Sequence, residues 1–171
     1  AKLYSPPVSS VPIWLAAGGP KSSMLAAEYA DGLMISVKNP EDAYERVINP
    51  AKTRTDELEK SKLRVHTYRW TMFADNDEDA WESLKSWRGL RAPNRLQEID
   101  PQALREQADS LPKDEIMSKF SRAGTVDELV DIYSPLVNEF GSEIVTIQIS
   151  SVNQEETIKL LGEELLPKLK K

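Results

Sequence analysis

Apolar runs of strand length alternate along this chain with segments whose apolar positions recur at helical spacing. The first run, Pro12-Ile13-Trp14-Leu15-Ala16-Ala17, meets the pair Gly18-Gly19. Pro20 suits a first helical turn, and an Ala-rich helix carries the chain to Ala30. Asp31-Gly32 then leads into a second apolar strand, Leu33-Met34-Ile35-Ser36, which completes a βαβ unit. Pro40-Glu41-Asp42 opens a helix with acids in its first turn and an apolar stripe of Ala43, Val47 and Ile48, and the polar stretch to Lys62 reads as a second, exposed segment. A third strand is predicted over Leu63–Phe73, where Val65, Thr67, Tyr68, Trp70 and Phe73 raise β propensity. It ends at the acidic turn Asp75-Asn76-Asp77, ahead of a helix from Glu78 to about Trp87.

From Arg88 to Ala123 the alternation is interrupted by short helical pieces broken at Pro93, Pro101 and Pro112, with no strand among them, which reads as an insertion. It resumes at a capping box, Thr125 with Glu128, whose helix runs to about Phe140 and stops at Gly141. Glu143–Ser150 is a fourth strand rich in β-branched residues. A last amphipathic helix spans Glu155 to about Leu166, with Lys168, Lys170 and Lys171 suited to its negative end. Upstream, Ser5-Pro6-Pro7-Val8-Ser9-Ser10 favours an extended linker over Ala1–Val11. The expected fold is α/β: four βα units with parallel strands, over residues 1–171, and a helical insertion at about 88–123. Four such units form either an open sheet or half of a (βα)8 barrel, and periodicity leaves both open.

Composition narrows the function classes. At 171 residues with 40% apolar content the chain can bury a core of ordinary size. Its net charge of −6 gives no broad electrostatic footprint for nucleic acid. The absence of cysteine excludes disulfides, thiolate zinc sites and a cysteine nucleophile, and suits a reducing cytoplasm. No segment approaches the roughly 20 apolar residues of a membrane span, and the first residues lack the pattern of an export signal. No nucleic-acid or membrane partner is expected.

The strongest chemical signal is the Gly18-Gly19 turn between strand and helix. Adjacent glycines let a bound group approach the backbone, and free amides at the helix start favour an anion such as phosphate. The same pair also serves as a simple tight turn, with Ala26, Ala27 and Ala30 bringing the helix close to the sheet. His66, the single histidine, sits in mid-strand without metal-ligand partners and reads as a packed or surface strand residue. No serine has the setting of a nucleophile elbow. Asp75 to Asp79 resembles a calcium loop in composition but lacks its glycine and distal glutamate, so it reads as a solvated helix start. Trp14, Trp70, Trp81 and Trp87 read as core, while Gln148, Ser150 and Ser151 close the fourth strand at the rim.

The segment Pro12 to Pro20, followed by Ala26-Ala27-Glu28-Tyr29-Ala30-Asp31-Gly32, resembles the middle of the luciferase-like superfamily of flavin- and deazaflavin-dependent barrel oxidoreductases. Within it the chain is most similar to the coenzyme F-420-dependent glucose 6-phosphate dehydrogenases. The similarity continues through Val47-Ile48-Asn49-Pro50, Trp87, Ile99-Asp100-Pro101, Ala108 to Pro112 and Leu165-Leu166-Pro167-Lys168-Leu169. The methylene-tetrahydromethanopterin reductases share the Gly-Pro turn and Ala-Asp-Gly but fit the insertion less well. Only the carboxyl-terminal half of the family is covered, since its members are complete barrels of roughly twice this length.

The resemblance implies hydride transfer between a hydroxyl-bearing carbon and the 8-hydroxy-5-deazaflavin of coenzyme F-420, with FMN as the alternative cofactor. The family's acid–base residues lie in its first half, so no catalytic residue is implied here. Carried over by position, Gly18, Gly19, Lys21 and Ser22 hold the cofactor's phosphate-bearing tail. A sugar-phosphate pocket falls on the hydroxyl of Ser36 and on three cation positions: Asn39 by ungapped count, with Lys38 beside it, then Arg95, then Lys119. Implied partners are the deazaflavin, a small-molecule substrate, phosphorylated or uncharged, and either a second copy of the chain or the complementary amino-terminal half. The alternatives are a fragment of a methylene-tetrahydromethanopterin reductase-like enzyme or of an FMN-dependent luciferase-like monooxygenase, or a stand-alone, non-catalytic binding unit.

Overall fold

The computed structural model describes residues 8–169, so the first part of the expected linker and the lysines 170 and 171 lie outside the described residues. Its centre is a sheet of five strands, β1 (Trp14–Ala16), β2 (Gly32–Ser36), β3 (Arg64–Phe73), β4 (Ser121–Ala123) and β5 (Ile144–Ser150), paired in parallel throughout. β1 pairs only with β2 among the described residues, and β3 is the hub. β5 runs beside β3 over His66–Met72, so β2 and β4 divide the opposite edge, β2 taking Arg64–Tyr68 and β4 taking Thr71–Phe73.

Most helices pack on one face of the sheet, while the helices that directly follow β3 gather with Trp70 and Met72 on the other. α1 (Pro20–Tyr29) buries Ser23, Ala26 and Ala27. α2 (Pro40–Ala43), a π-helical turn (Tyr44–Ile48) and α3 (Asn49–Glu57) follow β2, and the expected stripe of Ala43, Val47 and Ile48 is buried. α4 (Asp77–Ser83) follows β3. The insertion holds a 3-10 turn (Arg88–Arg91), α5 (Pro101–Asp109) and α6 (Lys113–Met117). α7 (Val126–Asn138) buries Leu129, Tyr133 and Leu136. The chain closes with α8 (Gln154–Leu160), a second π-helical turn (Leu161–Leu165) and α9 (Leu166–Leu169).

Period-two alternation sorts the strand residues between layers. Val65, Thr67 and Thr71 of β3 are buried, and Leu33, Ile35, Val65, Ile48, Leu129, Leu136 and Leu165 share one core. Each such aliphatic side chain contributes about 1.5–3 kcal/mol on burial. The polar members are satisfied in place. The Tyr133 hydroxyl donates to Arg69 O at 2.9 Å and lies 3.0 Å from Thr71 Oγ1. Burial pushes its phenol up to about 12. Arg69 reaches Ser121 Oγ and Ile132 O, tying β3 to β4 and α7, and burial lowers its pKa.

Two expectations are corrected. The segment 88–123 does contain a strand, β4, three residues long. It is too short to show alternation, and its order comes from pairing with the end of β3. The helix after β3 ends at Ser83, and Leu84 to Trp87 continue as turns. Lys168 stands in the last turn of α9, as expected, and also pairs with Asp127 of α7 at 2.6 Å. The capping box forms with a shift: Thr125 Oγ1 accepts from Glu128 N at 3.2 Å, while Glu128 Oε2 accepts from Gly124 N at 2.6 Å. No helix among the described residues is long and apolar enough to cross a membrane.

Candidate functional site

All five strands run in parallel, so Ala16, Ser36, Phe73, Ala123 and Ser150 end on one rim, the place where βα folds gather their ligands. Beyond β1, Gly19 caps α1 in extended backbone, with φ −170 and ψ 175. A β-carbon at Gly18 or Gly19 would meet no atom within 4 Å. Neither packing nor a left-handed conformation at Gly19 calls for glycine, and what the pair leaves is open room before the helix. The first amide spent inside the helix is that of Ser23, on Gly19 O at 3.0 Å. Pro20 has no N–H, so the amides of Lys21 and Ser22 are unspent by helix geometry and point toward that room. The Ser22 hydroxyl donates back to Gly19 O at 3.0 Å, which leaves backbone amides as the available donors there. Lys21 is exposed.

Beyond β2, Ser36 is exposed at the strand end, with Lys38 and Asn39 following. Asn39 has a structural duty as well: its Oδ1 accepts from Asp42 N at 3.1 Å and caps α2. Arg95 and Lys119 stand on the insertion. Arg95 is exposed, and its Nη1 donates to Leu90 O at 3.4 Å. Lys119 is half-buried and paired with Glu115 at 3.2 Å. Among the described residues no hydrogen bond or ion pair joins the Ser36–Asn39 group to Arg95 or Lys119.

The opposite face of the sheet carries a polar and aromatic layer that sequence reasoning missed. His66 Nε2 lies 2.7 Å from Thr146 Oγ1, and its ring meets Trp14 and Tyr68 edge-on at 6.0 and 6.4 Å. Trp70 donates its indole N–H to Ser150 Oγ at 2.7 Å. The same indole meets Trp87 at 4.9 Å and Phe120 at 5.6 Å, joining this face to the insertion. Alternation along β3 was the available signal, because it sets His66, Tyr68 and Trp70 opposite Val65, Thr67 and Thr71. The tryptophans are not deep core: Trp14, Trp70 and Trp81 are half-buried and Trp87 is exposed. Ser150 and Ser151 are buried, and Ser151 accepts from Thr157 Oγ1 at 2.8 Å, so their hydroxyls serve the fold. The acidic turn is a helix start, with Asn76 Oδ1 accepting from Asp79 N at 2.9 Å. A cleft of about 440 Å³ beside it is lined by Asp75, Asp79, Glu156, Glu163 and Glu164 against the single cation Lys159, a net negative lining that disfavours phosphate.

A parallel βα sheet with its glycine turn and helical insertion at the carboxyl rim places the chain in the (βα)8-barrel class, of which it supplies half. Residues 1–139 match the family of luciferase-like monooxygenases, and the chain belongs to that family. It is 27% identical to the F-420-dependent glucose-6-phosphate dehydrogenase of Microbacterium testaceum, over 100% of this chain and 52% of that protein. It is 26% identical to the 5,10-methylenetetrahydromethanopterin reductase of Methanopyrus kandleri, over 95% of this chain and 52% of that protein. Among solved structures it superposes on an F-420-dependent secondary alcohol dehydrogenase bound to an F-420–acetone adduct with a TM-score of 0.79 and 23% identity, covering 100% of this chain and 52% of that one. The chain thus spans about half the length of the curated relatives it matches.

Proposed function

We propose that this chain is the carboxyl-terminal half of a cytoplasmic, coenzyme F-420-dependent oxidoreductase, folded as one unit over residues 1–171 with its insertion at about 88–123. The observation that carries the reading is the Gly18-Gly19 turn, where open room and unspent helix amides coincide on the carboxyl rim. The names of the relatives, F-420-dependent in the dehydrogenases, support the choice of deazaflavin over FMN. When bound, the deazaflavin supplies a hydride acceptor and donor. The residues of this chain bind and orient. Gly18, Gly19, Lys21 and Ser22 would hold the cofactor's phosphate, with the amides as principal donors. Ser36 with Lys38 and Asn39, and Arg95 with Lys119, would hold the phosphate of a sugar-phosphate substrate through charge-assisted hydrogen bonds. The catalytic acid–base groups come from the complementary amino-terminal half, in the same polypeptide or as a partner.

A second reading has its own support. Asn39 is occupied as a cap and Lys119 is paired with Glu115, which favours an uncharged alcohol as substrate. The test is a fluorescence titration of coenzyme F-420 and of FMN into the chain joined to a family amino-terminal half, followed by turnover of glucose 6-phosphate and of 2-propanol. Saturable F-420 binding with sugar-phosphate turnover supports the first reading. Turnover of the alcohol alone supports the second, and failure to bind F-420 overturns both.

A further inference from the structure

Among the described residues, two guanidinium groups close in sequence at the start of the insertion, Arg91 and Arg95, have no carboxylate partner. Arg88, one turn earlier, shows what the fold does elsewhere: its Nε and Nη2 grip both oxygens of Asp109, and its guanidinium lies 4.3 Å from the Trp81 ring centroid. Arg91 is held differently. Its guanidinium lies 4.9 Å from the Phe120 ring centroid, and its Nε is buried with no hydrogen-bond partner among the described residues. Neither Arg91 nor Arg95 forms an ion pair with a described residue, in a chain whose net charge is −6. Arg95 folds back so that its Nη1 donates to Leu90 O, the carbonyl of the residue before Arg91, at 3.4 Å. Burial, and then the neighbouring Arg95 charge, lower the Arg91 pKa.

Two like charges placed together, one of them partly desolvated, oppose each other and oppose burial. A third group that accepts hydrogen bonds from both forks removes both penalties, and an oxyanion has the right geometry and sign. Phe120 holds the Arg91 fork in place, since its ring centroid lies 4.9 Å from the guanidinium and its ring packs edge-on against Trp70 at 5.6 Å. We propose that Arg91 and Arg95 form an anion-binding site on the insertion, Arg91 as its fixed member and Arg95 as its mobile one, that takes the phosphate or carboxylate of a small-molecule ligand. The proposal deepens the substrate reading above and rests on it for the guest's role, not for the site's existence. It shifts the weight of anion recognition from Lys119, whose charge Glu115 already meets, to Arg91.

The test is calorimetric titration of the chain with pyrophosphate and, separately, with citrate. Saturable binding of pyrophosphate but not citrate marks a phosphate guest, and the reverse marks a carboxylate guest. Arg91→Met and Arg95→Met are each expected to weaken that binding by about tenfold or more. Arg46→Met, which removes a charge paired with Asp42 on another helix, is expected to leave it unchanged. Arg91→Lys keeps the charge without the fork and is expected to fall between. If Arg91→Met fails to fold, the exposed Arg95→Met carries the test. No saturable binding of either anion by the unaltered chain, or unchanged binding in a folded Arg91→Met or Arg95→Met, overturns the proposal. The F-420 titration is separate: F-420 affinity is expected to be unchanged by both substitutions, and its absence in the unaltered protein would defeat the functional reading without touching the anion result.

Discussion

The indole of Trp14 lies over Gly32, its neighbour across β1 and β2, so closely that a β-carbon on Gly32 would stand 2.3 Å from the ring. Glycine is required here by the ring above it. Gly32→Ala is expected to destabilise the protein by about 1–3 kcal/mol, since the bulky indole is hemmed in by His66 and Arg64. Trp14→Leu should recover part of that loss in the double variant. Denaturant unfolding of the four proteins of the cycle checks the coupling, and additive effects would show that the ring moves freely aside.

Gly19 is the contrasting case, because a side chain there meets no atom within 4 Å. Gly19→Val is therefore expected to leave the fold intact and weaken F-420 binding strongly, by filling the room that a phosphate would use. Circular dichroism and a fluorescence titration together decide it. Unchanged affinity in a folded variant removes the turn from the cofactor site.

For the substrate side, Arg95→Ala in a complete enzyme is expected to raise the Michaelis constant for a sugar phosphate roughly 30- to 150-fold, on the order of 2 to 3 kcal/mol. Lys119→Ala should have a smaller effect, because Glu115 already offsets its charge. Steady-state kinetics with glucose 6-phosphate and with 2-propanol separates the cases, since the alcohol should be indifferent to both substitutions.

Tyr133 makes stability depend on high pH. Its folded value of about 12 lies above the ordinary value near 10, because burial favours the neutral phenol. Its contribution is whole below about pH 10 and is lost as pH rises through the folded value, amounting to about 3 kcal/mol. Tyr133→Phe should flatten that fall between pH 10 and 12, at a loss of about 1 kcal/mol at neutral pH for the bond to Arg69 O. Urea unfolding at pH 8 and 11.5 gives the comparison, and parallel pH profiles would place the titration elsewhere.

Among the described residues, the outer edges of β1 and β5 are unpaired, and the face bearing His66, Tyr68 and Trp70 is only half covered. Such edges template pairing with another chain. Self-association of the isolated chain is the expected outcome in sedimentation velocity. A compact monomer across the micromolar range, binding no hydrophobic dye, would contradict it.

The long periodic elements were readable from sequence because periodicity encodes which side is buried. β3, the stripe of Ala43, Val47 and Ile48, and the Thr125 cap all form where the pattern placed them. β4 was not readable, since three residues carry no period and its order comes from Thr71–Phe73, fifty positions earlier in the chain. At the rim, the sequence located Gly18-Gly19 and Ser36 but could not tell that Asn39 was spent as a cap or that Glu115 reaches Lys119, because both depend on side-chain geometry. Arg91 was passed over because an arginine in a polar stretch looks solvated until Phe120 is seen beneath it.

The chain builds two separate hydrophobic clusters, one between the sheet and its helices and one under the insertion around Met72, Leu84, Ile116 and Phe120. They meet along the end of β3, where Met72 faces one and Phe73 the other. A lineage can therefore rewrite the segment from Ala80 to Phe120 without repacking the layer that supports Gly18 and Gly19. What the insertion recognises and what the glycine turn holds can therefore change independently, and relatives named for different substrates share this architecture.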